Sequence, residues 1–492
     1  MMVSVLSTIM FKKTFSIGVI LGFVATISAA QNQMDSLESI TPKDFFQRVE
    51  QYHPVLKQAR LLPAMAEAEV QQARGAFDPK LQLEQRRKRY DGKAYWDDLY
   101  PSLKLPSWPG VDFKASFHEV EGEYVNPENN TSENGLVGLG VVVPVGRNLL
   151  IDARRASLKR ALLMREFNEA EQLKLGNKVR LKATTSYIAW HKQYLLYQLR
   201  QEALELSRQQ NAYVNSLIKV GETPGIDSLK AAVQLTRRRI DIQKALLKRR
   251  NARLRASVLL WSSKEAPAAL STGIDPPAPF EDDLSPPDAA ALDTLLEAAR
   301  AQHPELNKLN AKQKQLDVDR RLAVEGLKPL VDVEFTWLNG ANAQPSEWSA
   351  STIDEDYKLG ISVSMPVLLR KARGKLNLTQ LKLLDNRYAL QSARQEVEAR
   401  VKTYVNEWRA YDQQLRQQRT QVNNYYRLLE AEREKFAIGE SDLLLVNLRI
   451  QQWVEARQKE VNLQAKRFKA RCYTLWSAGF SPFYPLVRKM DS

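Results

Sequence analysis

The side chains that most often do chemistry are sparse in this chain, and their spacing builds no reaction centre. The four histidines, His53, His118, His191 and His303, stand far apart with no second ligand at metal-binding spacing. His53 and His303 each precede a proline, which suits the start of a helix better than proton transfer. No G-x-S-x-G elbow and no phosphate-cradling loop occurs. Gly135, Gly138 and Gly140 imitate a dinucleotide fingerprint, yet they fall inside a strand pattern rather than between a strand and a helix. The carboxylates lie on segments rich in Lys and Arg, where solvated ion pairs along a helix are their ordinary use. The single cysteine, Cys472, excludes an internal disulfide and a lipid-bearing first cysteine. No catalytic, cofactor-binding or metal-binding residue is expected.

The histidines mark a repeat instead. QYHPVLKQARLLPAMAEAEVQQARGAFDPKLQLE, from residue 51, recurs as AQHPELNKLNAKQKQLDVDRRLAVEGLKPLVDVE, from residue 301. Both His-Pro pairs, and Pro79 with Pro329, are 250 residues apart with no gap, so the chain contains an internal duplication. Val143-Pro144-Val145 answers Met365-Pro366-Val367, and Val220-Gly221-Glu222 answers Ile438-Gly439-Glu440. Pro267, Pro276, Pro277, Pro279, Pro286 and Pro287 crowd the stretch between the copies, as in a linker.

At the N-terminus, Lys12 and Lys13 precede an apolar run over 17–27 and small residues at 28–30, the pattern of a cleaved secretory signal. The run is shorter than the roughly 20 residues of a spanning helix. Beyond it no window of about 18 residues is free of charge, so a membrane role would fall to strands or to a surface. The organisation read from these features is a signal peptide over 1–30, a first repeat over 31–261, a proline-rich linker over 262–293, a second repeat over 294–480 and a tail over 481–492. Net charge is +15, or +13 without Lys12 and Lys13. Export and the spread of basic residues along helices argue against nucleic acid. Solvated helix faces are the plain reading, a basic lumen wall the sharper one.

Four segments alternate with period two and read as strands, over 111–122, 136–145, 329–338 and 356–366. In the first, Val111, Phe113, Ala115 and Phe117 oppose Asp112, Lys114, Ser116 and His118. In the last, Tyr357, Leu359, Ile361, Val363 and Met365 oppose Lys358, Gly360, Ser362 and Ser364. Residues 80–90 also look extended, but Leu81 and Leu83 facing lipid would bring Arg87 and Arg89 with them, at roughly 2 to 4 kcal/mol each near the midplane. That stretch is therefore expected outside the bilayer. Very long helices are predicted from about 148 to 219, with Gly176 the one glycine, and from about 371 to 437. At 1.5 Å per residue each is on the order of 100 Å long and must lie against others.

Four amphipathic strands cannot close a barrel, and open edges are not tolerated in hydrocarbon, so the chain must associate. Two copies would give a filled barrel of eight strands, and three an open barrel of twelve.

The duplicated HPVL and HPEL starts, the strands ending in VVVPV and SVSMPV, and the turns KVGETPGIDSL and AIGESDLLL resemble the outer membrane efflux proteins, the TolC family, over about residues 40–480. The resemblance implies a mixed, mostly α fold in which a homotrimer forms a twelve-stranded β-barrel, four strands per chain, continuous with a long α-helical barrel. It implies a passive exit duct across the outer membrane and periplasm of a Gram-negative bacterium, in tripartite efflux or type I secretion. The partners implied are a periplasmic adaptor, an inner-membrane pump and outer-membrane lipid. Adaptor contact and the periplasmic aperture would then fall on Gly221, Glu222, Asp227, Gly439, Glu440, Ser441 and Asp442. Glycine suits such turns because a helical hairpin needs positive φ, and Asp227, Ser441 and Asp442 stand where a following helix would be capped. The first turn holds three more residues between its glycine and its aspartate, so the two contacts should differ. The competing class is a periplasmic coiled-coil scaffolding protein without a channel.

Overall fold

The structure is a computed structural model that describes residues 36–37, 40–221, 224–271, 274, 276–277, 285–344, 348 and 355–482. The expected signal peptide and the tail beyond 482 lie outside the described residues, as does part of the linker. The first half runs α1 (Pro42–Tyr52), α2 (Pro54–Arg74), β1 (Lys80–Tyr90), β2 (Lys93–Pro106), β3 (Asp112–Glu121), β4 (Leu136–Pro144), α3 (Ala153–Lys219) and α4 (Gly225–Ser257). The second runs α5 (Ala289–Gln302), α6 (Pro304–Glu325), β5 (Leu330–Gly340), β6 (Tyr357–Ser364), α7 (Arg370–Ala437) and α8 (Leu443–Ser477). A two-residue parallel pairing of Ser36–Leu37 with Ala269–Leu270 lies apart from the main sheet.

Each repeat histidine starts a helix. His53 and His303 sit in extended backbone, and their Nδ1 atoms accept the N–H of Val55 at 3.3 Å and of Glu305 at 3.2 Å. The prolines that follow need no N–H partner in the first turn. Downstream, α3 and α7 run 67 and 68 residues. Neither could stand alone: α3 packs on α4, α2, α6 and α8, and α7 on α8, α6 and α5.

Three clusters show how the helices hold together. Phe45 and Phe46 of α1 meet Tyr187 and Trp190 of α3, with Leu259, Leu260 and Ile274 closing the cluster. Leu296 and Ala299 of α5 meet Val397, Val401 and Val405 of α7. Leu199 and Ala203 of α3 meet Leu429 of α7 and Ile450, Trp453 and Val454 of α8, joining the two halves. The described part of the linker rests on the first cluster: the Tyr187 hydroxyl donates to Pro277 O at 3.1 Å, and His191 lies 3.2 Å from Pro276 O.

The strands overturn one expectation. The sequence predicts four, with residues 80–90 left out, whereas the structure forms one antiparallel sheet of six in the order β1-β2-β3-β4-β5-β6. Residues 80–90 are its first strand and 93–106 its second. Arg87, one of the two arginines that set this stretch apart in the sequence, stands opposite Asp97 on β2 and forms an ion pair with it. That pair lies near the turn at Asp91 and Gly92, where both residues take positive φ. A register shift falls between Lys88 and Arg89, so the strict alternation assumed for Arg89 stops there.

Candidate functional site

Two regions carry the expected function, the turns between the long helices and the sheet. At the first turn, α3 ends on Val220 and Gly221 takes φ +79°, its N–H reaching Ile218 O at 3.1 Å. A side chain there would be strained by the backbone, although nothing crowds the position. Glu222 lies outside the described residues. Pro224 occupies the N-cap position before α4 and has no side-chain cap to offer. Asp227 is therefore not at the cap position expected of it. It stands within the first turn of α4, where its Oδ1 accepts Lys230 Nζ at 2.8 Å.

Among the described residues the second turn carries more bonds. Gly439 also takes φ +79°, and the Glu440 N–H reaches back to Lys435 O at 2.9 Å, closing the helix end. Asp442 caps α8 as expected, accepting Leu445 N–H at 2.8 Å. Ser441 does not cap. Its hydroxyl donates to Glu432 Oε1 at 2.5 Å, while Arg449 Nε approaches the other oxygen at 3.3 Å. The Ser441 bond foremost, then Arg449, hold the Glu432 carboxyl below the ordinary glutamate range against the opposing pull of desolvation.

The two turns lie side by side in one chain. Val214 of α3, Ala231 of α4 and Leu443 of α8 form a buried cluster, with Ile218 and Phe436 packed on it, and the Tyr213 and Phe436 rings are 5.7 Å apart. Around this cluster the sequence reading missed an apolar rim. Val220, Ile226, Leu229, Ile438 and Leu444 are 61% to 70% exposed, an unusual concentration for a surface facing only water. Its signal in the sequence was the placing of large aliphatic residues immediately beside the turn glycines.

In the sheet, cross-strand partners share a face, so the registers sort the side chains. One row runs Leu81, Leu103, Ala115, Leu139, Trp337, Tyr357 across all six strands. The adjacent row on that face runs Leu105, Phe113, Val141, Phe335, Leu359. The opposite face carries the row Lys80, Lys104, Lys114, Gly140, Thr336, Lys358. There Lys104 pairs with Asp112 at 2.9 Å and Lys114 with Glu334 at 2.7 Å. Over these rows the sheet has one apolar and one charged face, and towards the β1–β2 turn the apolar face gives way to Gln85, Arg87, Asp97, Glu119 and Glu121.

Sheet and helices are bolted together at the strand bases. Asp152 caps α3 by accepting Arg155 N–H at 2.7 Å, and Arg154 Nη1 reaches Asp112 on β3 at 2.8 Å. The buried Arg155 guanidinium donates to the Leu149 and Asn148 carbonyls. Among the described residues no group of three or more His, Cys, Asp or Glu could hold a metal ion, and no helix is long and apolar enough to cross a membrane.

Residues 295–472 match the family described as outer membrane efflux protein. No curated protein sequence matches the chain. Several solved structures share the fold along nearly its whole length. The Campylobacter jejuni CmeC outer membrane channel is 14% identical with a TM-score of 0.62, covering 99% of this chain and 97% of its own. The Vibrio cholerae outer membrane protein VceC is 11% identical at 0.63, covering 89% and 96%. The open Neisseria gonorrhoeae MtrE outer membrane channel is 14% identical at 0.62, covering 90% and 89%.

Proposed function

We propose, from the match of residues 295–472 to the outer membrane efflux protein family, that this chain is the outer-membrane channel of a tripartite efflux or type I secretion system. The observation that carries the reading is the two-faced sheet joined rigidly to long helical hairpins. An apolar face meets lipid, a charged face lines water, and the α3–α4 and α7–α8 hairpins prolong the passage away from the membrane. A scaffolding protein confined to the periplasm has no use for a sheet with one apolar face.

The working unit is a homotrimer, because a curled sheet with two free edges needs neighbouring copies to close around water. Four strands per chain would close a barrel of twelve, as the resemblance implies. The helices stand in the periplasm, and an adaptor bound to an inner-membrane pump docks at the turns through Gly221, Asp227, Gly439, Glu440, Ser441 and Asp442, together with Glu222. The exposed aliphatic rim around those turns supports docking of another protein there. Transport is passive, and the chain needs no cofactor for it.

The purified protein should be a trimer that requires detergent, migrates differently before and after heating, and conducts ions in a planar bilayer. A monomer soluble without detergent would overturn the proposal. At the turns, Gly221→Val or Gly439→Val should abolish adaptor cross-linking while trimers persist, and unchanged cross-linking would remove the docking assignment.

A further inference from the structure

Three stretches of the chain contain no Asp or Glu: 172–201 on α3, 242–264 on and just beyond α4, and 461–477 on α8. The fold brings their cations together. A recess of about 480 Å³ opens where the three helices meet, and Lys192, Lys248, Arg255 and Lys469 line it. We propose that this recess binds anionic solutes bearing carboxylate, phosphate or sulfate groups. The site goes beyond the channel reading, which assigns no residue to whatever passes along the duct.

The first observation is the lack of pairing. Elsewhere basic side chains are neutralised across the helix seams, as Arg180 is by Glu50, Lys308 by Glu171 and Arg467 by Asp412. Among the described residues, none of Lys192, Lys248, Arg255 and Lys469 has an ion-pair partner. The Glu407 carboxylate of α7 acts on Tyr473 at the recess wall, whereas the charges that act on Lys192 and Lys469 are other lysines.

The second is that the cations are crowded rather than spread along a solvated face. Lys192 and Lys469 are half-buried. Burial foremost, then Lys248 and Lys466, lowers the Lys192 ammonium below the ordinary lysine range, and burial followed by Lys192 does the same to Lys469. Like charges gathered without a counter-charge oppose folding, and a bound anion would relieve that repulsion. The third observation is the rest of the lining. Gln193 and Asn251 offer neutral amide donors, and the Tyr473 ring forms a wall fixed by stacking on Tyr404, with 5.0 Å between centroids.

The recess opens on the side of the helical layer away from the linker. On α3 it is Tyr187 and His191 that face the linker, at Pro277 and Pro276. On α4 it is Arg253, which donates to Ser271 O, and Lys248 and Arg255 lie about half a turn round the helix from it. In the proposed trimer that bare side is the one left to line the passage, so an anion in transit meets the recess.

A fluorescent polyanion, pyrenetetrasulfonate, titrated at low ionic strength into the detergent-purified full-length protein tests the site. Anisotropy should show saturable binding, and the combined Lys192→Gln, Lys248→Gln, Lys469→Gln variant should bind about tenfold more weakly. A control with Lys43→Gln, Lys264→Gln and Lys312→Gln removes the same charge from exposed positions elsewhere and should bind like the parent. Because the recess variant loses mutually repelling charges, it should melt no lower than the parent. The probe should raise the melting temperature of the parent and leave that of the variant unchanged. In planar bilayers the probe should reduce the current through the parent and not through the recess variant. No binding to the parent, binding that the recess variant keeps, or binding that the control loses equally would overturn the inference. Binding lost with the recess lysines in a protein that conducts nothing would uphold the site and refute the channel reading instead.

Discussion

The two halves follow one order of elements but are held by different side chains. In the first, α1 packs on α3 through Phe45, Phe46, Tyr187 and Trp190, with the linker laid across them. In the second, α5 packs on α7 through Leu296, Ala299, Val397, Val401 and Val405. The contrast teaches that a duplicated backbone can be stabilised unequally: the half that carries the extra hairpin and the linker also has the larger aromatic core. Trp190 is fully buried, so Trp190→Ala should cost about 3–5 kcal/mol, whereas Val405→Ala should cost about 1–2 kcal/mol. Thermal melting followed by helical circular dichroism should show the larger drop for Trp190→Ala. Equal drops would remove the asymmetry.

The repeat histidines sharpen the comparison through pH. Burial foremost, with Arg400 adding to it, pushes His303 down to about 4, and burial also lowers His53, helped by Lys182. Both are neutral in the fold, where Nδ1 must accept a backbone N–H. A depressed histidine pKa means the unfolded chain binds the proton first as pH falls. The stabilisation is therefore present above the unfolded value of 6.5 and is lost on acidification toward 4. For His303 it amounts to about 3 kcal/mol, of which about 2 kcal/mol is gone by pH 5. His303→Asn keeps a cap acceptor without a titrating ring. It should flatten the change in urea midpoint between pH 7 and pH 5 more than His53→Asn does, and the reverse order would break this comparison.

Local features were legible in the sequence and pairings between distant segments were not. Helix starts at Pro54 and Pro304 follow from one residue and its neighbour, and the period-two strands β3 to β6 announce themselves by alternation. The hairpin β1–β2 did not, because Leu81 and Leu83 give way to Gln85 and Arg87, and the residue that neutralises Arg87 is Asp97, on the other strand. At the turns the same rule holds. Asp442 caps three residues onward and could be foreseen. Ser441 bonds Glu432, nine residues back across the turn, and could not. Asp227 was misplaced because Pro224 takes the cap position, so the three additional residues of the first turn carry the carboxylate past the cap.

Those turns supply the smallest and most local contrast. Asp442→Ala removes a side-chain cap, worth about 1 kcal/mol, so the Leu445 amide should exchange with solvent about five times faster. Asp227→Ala removes only an ion pair with Lys230 three residues on, worth a few tenths of a kcal/mol, and exchange in the first turn of α4 should rise less than twofold. Hydrogen exchange read by mass spectrometry on the purified protein separates the two. Should Asp227→Ala accelerate its turn as much as Asp442→Ala, its carboxylate would be closing α4 despite Pro224, and the two turns would be equivalent in their bonding. A difference of the expected size leaves the second turn as the more firmly capped of the two, held by Asp442, Ser441 and Arg449.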